Sequence, residues 1–517
     1  MSTAQPGPNI LLIMADQLIP MLCGAYGHPV VQTPALTALA EHGVRFDAAY
    51  SPCPVCAPAR ACLLTGTYSS TNRVYDNAAL FAADLPTVAH YLTNAGYDTV
   101  LSGKMHFVGP DQLHGFRRRL TTDIYPEEFT WVDNRAPWAL ERDPAAFDPS
   151  KGKGNHARSY TGSGVHVDRW HHHLAYDEEA HFRGLAYLRA VAAQRRERLQ
   201  RGADVAPPFF LCVSYHHPHD PFWPPQDLWD LYAGAKIEIP SFPDNLEATY
   251  SAMDRWLNAN HGVQRYPELR DPDSLRRVRR AYYALITYID RKVGELVATL
   301  QANDLWENTV VVFASDHGDM LGEKGMVQKR SFYEYSARVP LILRWPGDVY
   351  ARTVCREPVS LVDLLPTLLD VAGVGQGQRL PIDGTSLLGL IDGSDTAPRT
   401  VFAEMHVEDV AALCFMVRRG PHKYVSPTGQ AAQLFDLESD PGEWHNLAGE
   451  PSHRQVEESL RRAILARFSL EEIEADVRQS LRRRKLIKDA MARNGTLWDY
   501  VPAFDPARDA LTQYLLP

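Results

Sequence analysis

Two short apolar runs, each followed by a pair of polar residues, constrain the fold of this chain more than any other feature. The runs and their polar pairs are residues 10–15 with Asp16 and Gln17, and residues 309–315 with Asp316 and His317. Unbroken apolar runs of this length predict strands that are buried on both faces, as in a parallel sheet. Polar residues at the carboxyl ends of such strands are well placed to form a functional site.

Helical and extended patterns alternate along much of the chain. Residues 33–43 predict a helix with Thr33 as its capping residue, Pro34 at its first position and Gly43 at its end. The other predicted elements are strands at 44–50, 97–101 and 209–215, and helices at 85–95, 273–303 and 363–372. Strands that alternate with helices predict an α/β fold, with a large and mostly parallel sheet covered by helices on both faces.

The pattern changes along the 517 residues, which exceed the usual size of one domain. We predict a large N-terminal domain at 1–375, with insertions at about 109–208 in which a run of three histidines, 171–173, forms a polar loop. A smaller subdomain of short strands is predicted at 376–469. A charged helix and an aromatic tail follow at 470–517, and we expect the tail to dock on a partner subunit of a dimer or tetramer, with its own subunit as the alternative.

Composition excludes several classes of protein. With 53 basic and 63 acidic residues the net charge is −10, and no block of five or six like charges occurs, so a nucleic-acid partner is not expected. A hydrophobic fraction of 45% excludes a largely disordered chain. We expect no membrane partner, because no apolar run is long enough to span a bilayer. The start carries no signal-like segment, and seven sparse cysteines do not resemble a disulfide scaffold, so we expect a reducing cytoplasm.

The cysteine-rich segment after the second predicted strand is open to several interpretations. Cys53 and Cys56 form a C-x-x-C pair, which is typical of a redox dithiol or of half a zinc site. A zinc site would need a second ligand pair at comparable spacing, which the other cysteines do not supply. A purely structural group of cysteines is the third interpretation.

The same segment resembles the signature of the sulfatase family. Cys56-Ala57-Pro58-Ala59-Arg60, with Thr65-Gly66 after it, is similar to the pattern C-x-P-x-R-x4-T-G. The resemblance implies an alkaline-phosphatase-like α/β sandwich that hydrolyses sulfate esters. It also implies that a formylglycine-generating enzyme oxidises Cys56 to formylglycine, whose hydrated diol is the nucleophile and is held by Arg60.

The resemblance also implies a divalent metal ion, held by Asp16, Gln17, Asp316, His317 and the modified Cys56. Oxygen ligands favour a hard cation, so Ca2+ is expected first, with Mn2+ or Mg2+ as alternatives. Pairs of the Asp-Gln and Asp-His type are similar to the phosphonate monoester hydrolase branch of the superfamily.

Further site residues follow from the resemblance, each with its own role. Lys104 and Lys329 are implied to bind ester oxygens, His106 to accept the diol proton and His219 to protonate the leaving group, with His217 as the second candidate for that acid. Asn77 is implied to donate to the sulfuryl group. Independently, Trp131 lies in an aromatic segment, 125–138, that could cover a pocket and attract a quaternary ammonium group or serve packing alone.

Outside the signature, long stretches are similar to the choline sulfatase branch of the family. They are residues 9–18, 26–31, 75–79, 102–116, 123–126, 315–323, 336–340 and the region of Trp498 and Asp499. The implied substrate is a small sulfate ester, either an alkyl ester similar to choline O-sulfate or an aryl ester. A phosphonate or phosphate ester is the alternative within the superfamily, and a non-catalytic binding protein on the same fold is the alternative from another class.

Overall fold

The computed structural model describes residues 7–134, 159–202, 206–263, 266–495 and 498. Its strands are β1 Asn9–Asp16, β2 Val44–Tyr50, β3 Asp98–Gly103, β4 Arg118–Arg119, β5 Phe209–Pro218, β6 Thr309–Ser315, β7 Arg338–Arg344, β8 Thr353–Cys355, β9 Val359–Ser360, β10 Thr400–Met405, β11 Cys414–Arg419, β12 His422–Pro427 and β13 Gln433–Asp436. Its helices are α1 Pro34–Glu41, α2 Cys56–Thr65, α3 Ser69–Asn72, α4 Val88–Asn94, α5 His172–Gln200, α6 Gln226–Leu231, α7 Ala252–His261, α8 Pro272–Ala302, α9 Glu334–Ala337, α10 Leu364–Val371, α11 Leu388–Ile391, α12 Arg454–Arg467 and α13 Leu470–Asn494.

A large sheet forms the centre of the molecule. Its described strands run in the order β4-β3-β5-β1-β6-β7-β2-β8, and β9 pairs with β2. The pairs β1 with β5 and β1 with β6 are parallel, whereas β7 is antiparallel to both of its neighbours. A separate antiparallel sheet, in the order β10-β11-β12-β13, lies in the C-terminal part. The predicted fold class is therefore confirmed.

The first apolar run is buried on both faces, as its pattern predicts. Leu11 and Ile13 of β1 belong to the apolar cluster under α1, α5 and α8. Leu12 and Met14 point to the opposite face and join the cluster under α2, α4 and α10. Because successive side chains of a strand alternate between faces, only a strand covered by helices on both sides can carry such an unbroken run.

The start of α1 differs from the prediction. The side chain of Thr33 does not cap the helix; its hydroxyl accepts a hydrogen bond from the Ala25 amide at 3.0 Å. Asp290 of α8 caps the helix instead, accepting from the Leu36 amide at 2.8 Å and from the Ala35 amide at 3.1 Å. A carboxylate from another helix thus replaces the local cap, which no local sequence pattern could indicate.

The prediction of a polar loop at residues 171–173 is wrong. His171 precedes the first residue of α5, and His172 and His173 lie in its first turn. The helix packs on β5 and β3, so part of the predicted insertion belongs to the layer that covers the sheet. His171 and His173 are buried while His172 is exposed. Weak helical periodicity concealed this element, because its buried face carries histidines and tyrosines as well as aliphatic residues.

The C-terminal helix α13 begins at Leu470, where the charged helix is predicted to begin, and it contacts loops near the carboxyl edge of the sheet. Arg484 is 4% exposed and donates two hydrogen bonds to the buried carboxylate of Asp76, at 2.9 and 2.7 Å. Trp498 packs on Phe129 of its own chain at a ring distance of 5.3 Å. The remaining aromatic residues of the tail lie outside the described residues, so its docking on a partner stays a prediction.

Among the described helices, none has both the length and the apolar character needed to cross a bilayer. The domain limits at 375 and 469 also stay predictions.

Candidate active site

The register of the central sheet brings the two acidic strand ends together. Ala15 of β1 lies opposite Ser315 of β6, so Asp16 and Asp316 follow side by side. The main-chain amide of Gln17 donates to Asp316 Oδ1 at 3.1 Å, and this bond links the two strand ends. Asp16 and Asp316 are fully buried. Residues that are 300 positions apart in the sequence thus share one site.

Cys56 is the first residue of α2, and its thiol meets the same group. Its Sγ lies 3.1 Å from His317 Nε2 and 3.8 Å from Asp16 Oδ1. Burial and the Asp16 charge would raise the pKa of the thiol. The cations Lys104, Lys329 and His317 outweigh them and hold its pKa well below the ordinary value. Such a thiol is reactive, unlike a buried structural cysteine.

Asp16, Cys56, Asp316 and His317 form the strand-end cluster, whose ligand atoms lie within 4.8 Å of one another. Burial raises the pKa of Asp316, and the neighbouring Asp16 charge adds to that effect. The Nδ1 atom of His317 bonds the Gly318 carbonyl oxygen at 3.0 Å, which leaves Nε2 turned toward the cluster. Two close carboxylates and a fixed imidazole nitrogen suit a divalent cation, so the residues fit the predicted metal.

Arg60 lies one turn along α2 from Cys56 and faces the carboxylates. Its Nε donates to Asp316 Oδ2 at 2.7 Å, and an Nη donates to Asp16 Oδ2 at 3.1 Å. The other Nη donates to the Lys104 carbonyl and to Ser214 Oγ. Burial would lower the pKa of the guanidinium, but the two carboxylates raise it. Arg60 therefore compensates the acidic pair, and its contact with a diol on residue 56 stays a prediction.

Lys104 and His106 lie against two aromatic rings, Tyr125 and Trp131, which together form the aromatic wall of the site. The ammonium group of Lys104 pairs with Asp16 and sits 4.2 Å from the centre of the Tyr125 ring. His106 packs on Tyr125 at 4.8 Å and on Trp131 at 5.8 Å between ring centres. Among the described residues, neither ring nitrogen of His106 has a hydrogen-bond partner, although the side chain is buried. The unpartnered nitrogens leave His106 able to accept a proton from a ligand.

Lys329, His219 and Gln17 form a connected group beside the cluster. Lys329 Nζ lies 2.6 Å from His219 Nε2 and donates to Gln17 Oε1 at 2.7 Å. The other ring nitrogen of His219 bonds the Asp220 carbonyl oxygen at 2.8 Å. The side-chain oxygen of Gln17 therefore faces Lys329 in this structure, and its ligation of a metal stays a prediction.

His217 takes part in a different set of contacts. Its Nδ1 lies 2.7 Å from Asp177 Oδ2, and its ring packs near Tyr288 of α8. The structure thus joins His219, rather than His217, to Lys329. Asn77 lies in the loop after α3, and its Oδ1 accepts from the Ala57 main-chain amide in the first turn of α2 at 2.9 Å. That bond occupies the oxygen of Asn77 and leaves its amide nitrogen as the donor that the resemblance implies.

The C-x-x-C interpretations are not supported. All seven cysteines are free, so Cys53 and Cys56 are not joined. Burial holds the pKa of the Cys53 thiol well above its ordinary value, and Cys53 is not part of the strand-end cluster. The thiol of Cys56 alone belongs to the site.

Sequence reasoning missed three polar groups of the site. Asp319 and Tyr160 both contact Gln17, and Ser214 contacts Arg60. Asp319 follows the Asp316-His317-Gly318 turn, which is a signal that could have identified it. Tyr160 and Ser214 carry no comparable signal, because only the packing of distant segments places them.

Comparisons with known proteins cover nearly the whole chain. The sulfatase family matches residues 8–374, and the family described as N-sulphoglucosamine sulphohydrolase, C-terminal, matches residues 322–469. The chain is 39% identical over 506 residues to a choline-sulfatase of Rhizobium meliloti (strain 1021), covering 96% of this chain and 94% of that protein. It is 29% identical over 465 residues to an arylsulfatase of Clostridium perfringens (strain 13 / Type A), covering 89% and 94%. A solved phosphonate monoester hydrolase of Agrobacterium radiobacter is similar with a TM-score of 0.70 and 25% identity, covering 89% of this chain and 95% of that one.

Proposed function

Because the chain belongs to the sulfatase family and is a sulfuric ester hydrolase, we propose that formylglycine formed from Cys56 is its nucleophile and that its substrate is a small cationic sulfate ester. The observation that carries this proposal is the position of Cys56 at the start of α2, with Sγ 3.1 Å from His317 Nε2 inside a buried acidic cluster. A nucleophile placed there reaches both a metal site and the lysines that bind ester oxygens.

The residues divide the reaction between them. One hydroxyl of the hydrated aldehyde at position 56 gives its proton to a carboxylate of the strand-end cluster and attacks sulfur, and Lys104 and Lys329 bind the sulfuryl oxygens as point charges. The bond from sulfur to the alcohol oxygen breaks as His219 donates a proton to that oxygen. His106 then accepts the proton of the second hydroxyl, so that the C–O bond to sulfate breaks and the aldehyde returns.

The proposed metal ion is Ca2+, with Mn2+ or Mg2+ as alternatives. Asp16, Asp316 and His317, the oxygen of the modified Cys56 and Gln17 would hold it. It would supply Lewis-acid stabilisation of the sulfuryl oxygens. Arg60 is engaged with Asp16 and Asp316 and does not replace the ion in this role.

The aromatic wall supports a cationic leaving group. Tyr125 and Trp131 lie 5.2 Å apart between ring centres, next to His106 and Lys104. The faces of such rings attract quaternary ammonium groups. The choline-sulfatase relative at 39% identity is consistent with choline O-sulfate as the substrate.

A phosphonate monoester is the second candidate substrate. It is favoured by the similarity to the phosphonate monoester hydrolase of Agrobacterium radiobacter, at a TM-score of 0.70. The Asp16-Gln17 and Asp316-His317 pairs favour the same branch.

Two measurements on one preparation test the proposal. The protein is produced together with a formylglycine-generating enzyme, and the peptide containing Cys56 is expected to lose about 18 Da as thiol becomes aldehyde. The same protein is then assayed with choline O-sulfate, an aryl sulfate and a phosphonate monoester. Fastest turnover of the phosphonate would overturn the substrate, and full activity with unmodified Cys56 would overturn the nucleophile. Complete modification without turnover of any ester would favour a non-catalytic binding protein.

Trp131→Ala is expected to raise KM for choline O-sulfate by about 5-fold to 30-fold, since a cation over an aromatic face contributes about 1–2 kcal/mol. The control is the analogue in which a tert-butyl group replaces the trimethylammonium group, because it keeps the shape and loses the positive charge. Trp131→Phe should retain most of the affinity. Equal losses for the two esters would show that Trp131 serves packing alone.

The maturation enzyme, a homodimeric or tetrameric assembly and a cytoplasmic location belong to this proposal as well. Mass measurement in solution and fractionation of the source cell test the last two.

A further inference from the structure

The side-chain amide of Gln17 has hydrogen-bond acceptors on its nitrogen side and a cationic donor on its oxygen side. Its Nε2 donates to Asp319 Oδ2 at 2.6 Å and to the Tyr160 hydroxyl at 2.9 Å. Its Oε1 accepts from Lys329 Nζ at 2.7 Å. All three partners are buried, so water cannot replace any of these bonds without cost.

These partners determine which way the amide points. An amide can turn by half a rotation, which exchanges its oxygen and nitrogen with little change of shape. If Gln17 turned, its oxygen would face the Asp319 carboxylate and its nitrogen would face the Lys329 ammonium. Both contacts would be repulsive, and Asp319 could not repair its own because a carboxylate has no proton to donate.

The buried position of Asp319 is unfavourable for the free energy of folding. It is fully buried, and it forms no ion pair within the described part of the chain. Its bonds come instead from the Leu321 amide at 2.8 Å, from the Tyr160 hydroxyl at 2.6 Å and from Gln17. A buried carboxylate without a cation costs free energy, so its contribution here is not one of stability alone.

The backbone of Gln17 leaves the side chain little other freedom. Its φ is +66°, in the left-handed region that a residue other than glycine rarely occupies. Its main-chain amide donates to Asp316 Oδ1, and its main-chain carbonyl oxygen accepts from the Tyr282 hydroxyl at 2.5 Å. With the main chain held in this way, the orientation of the side-chain amide is the remaining variable.

We propose that Asp319, assisted by Tyr160, is a positioning residue: it holds the side-chain oxygen of Gln17 toward Lys329, and this orientation leaves an oxygen rather than an N–H group to complete the metal site, which raises the affinity of the strand-end cluster for a divalent cation. The inference rests on the metal site of the proposed function. Asp319 itself would not touch the ion or the substrate. It acts through Gln17, because it decides whether an oxygen or an N–H group is presented.

Direct metal binding tests this role without reference to turnover. Protein matured at Cys56 is stripped with a chelator and titrated with Mn2+ and with Ca2+ by calorimetry. Asp319→Asn keeps the shape of the side chain but can donate a proton, so it permits the reversed amide. We expect its dissociation constant to rise by about 10-fold to 100-fold, as for other residues that orient a metal ligand. Tyr160→Phe removes one of two acceptors and should give a smaller rise in the same direction.

Two further comparisons separate positioning from a general structural effect. Asp290→Asn changes a buried carboxylate that caps α1, away from the cluster, and should bind metal like the wild type. In a Gln17→Ala background, Asp319→Asn should cause no further loss, because the group through which it acts is gone. An equal loss in both backgrounds would overturn the proposal.

Each remaining outcome is also decisive. Unchanged metal affinity in Asp319→Asn would refute the role of Asp319 and leave the metal site standing. A wild-type protein that binds neither ion would refute the metal site and this role with it. If Asp319→Asn does not fold, Tyr160→Phe decides: wild-type affinity in that variant refutes the proposal.

Discussion

Replacing Cys56 by alanine is expected to lower turnover of the sulfate ester by at least about a thousandfold, which is the scale on which loss of a covalent nucleophile acts. Alanine cannot form an aldehyde, so no diol is available to attack sulfur. The fold should survive, because the Cys56 thiol contacts the side chains of Asp16 and His317 rather than main-chain groups. Alanine also suits a position in the first turn of α2. The measurement is kcat/KM with the best ester of the substrate panel, together with circular dichroism of the variant.

Cys53→Ala is the matched control for this experiment. Cys53 is buried like Cys56 and lies three residues before it, but it is outside the strand-end cluster. Its activity should remain within a few-fold of the wild type. Equal losses in the two variants would revive the dithiol interpretation, and an active Cys56→Ala protein would refute the nucleophile.

Arg60→Met is expected to lower the free energy of unfolding of the metal-free protein by about 3–5 kcal/mol, as when one partner of a buried ion pair is removed. Asp16 and Asp316 would then remain buried beside each other without the guanidinium that bonds both. Methionine keeps much of the volume, so the loss reports on charge and hydrogen bonds. Denaturant titration in the presence of a chelator measures it.

Arg344→Met provides the comparison. Arg344 is also fully buried, but its partner Asp348 is 31% exposed and can be solvated when the arginine is lost. The loss of stability should therefore be smaller than for Arg60→Met. A saturating divalent cation should restore part of the stability of Arg60→Met, since it compensates the same carboxylates. A loss below 1 kcal/mol in the metal-free protein would contradict the role assigned to Arg60.

Much of the site could be predicted because its chemical groups lie in short sequence patterns. Asp16 and Asp316 end strands whose apolar runs are unmistakable, and Cys56 and Arg60 lie in one contiguous signature. Since the carboxyl ends of parallel strands share an edge, the meeting of these groups follows from the fold class. The comparisons confirm the family that the signature predicts.

Other features could not be predicted, because they depend on packing between distant segments. The sequence pattern predicts loops where α5 begins, since the buried face of this helix mixes histidine and tyrosine with aliphatic residues. The cap of α1 comes from Asp290, more than 250 positions away. The family resemblance ranks His219 before His217, but only the turn after β5 shows that His219 meets Lys329.

The sequence by itself determined the fold class, the family signature at Cys56 and the two acidic strand ends, because each is carried by short patterns along the chain. Only the tertiary structure decided how these groups are held: that Arg60 bonds both carboxylates, and that Asp319 and Tyr160 orient Gln17. Hydrogen bonds are short and directional, so partners hundreds of residues apart are selected by sheet register and side-chain packing, which no local pattern contains.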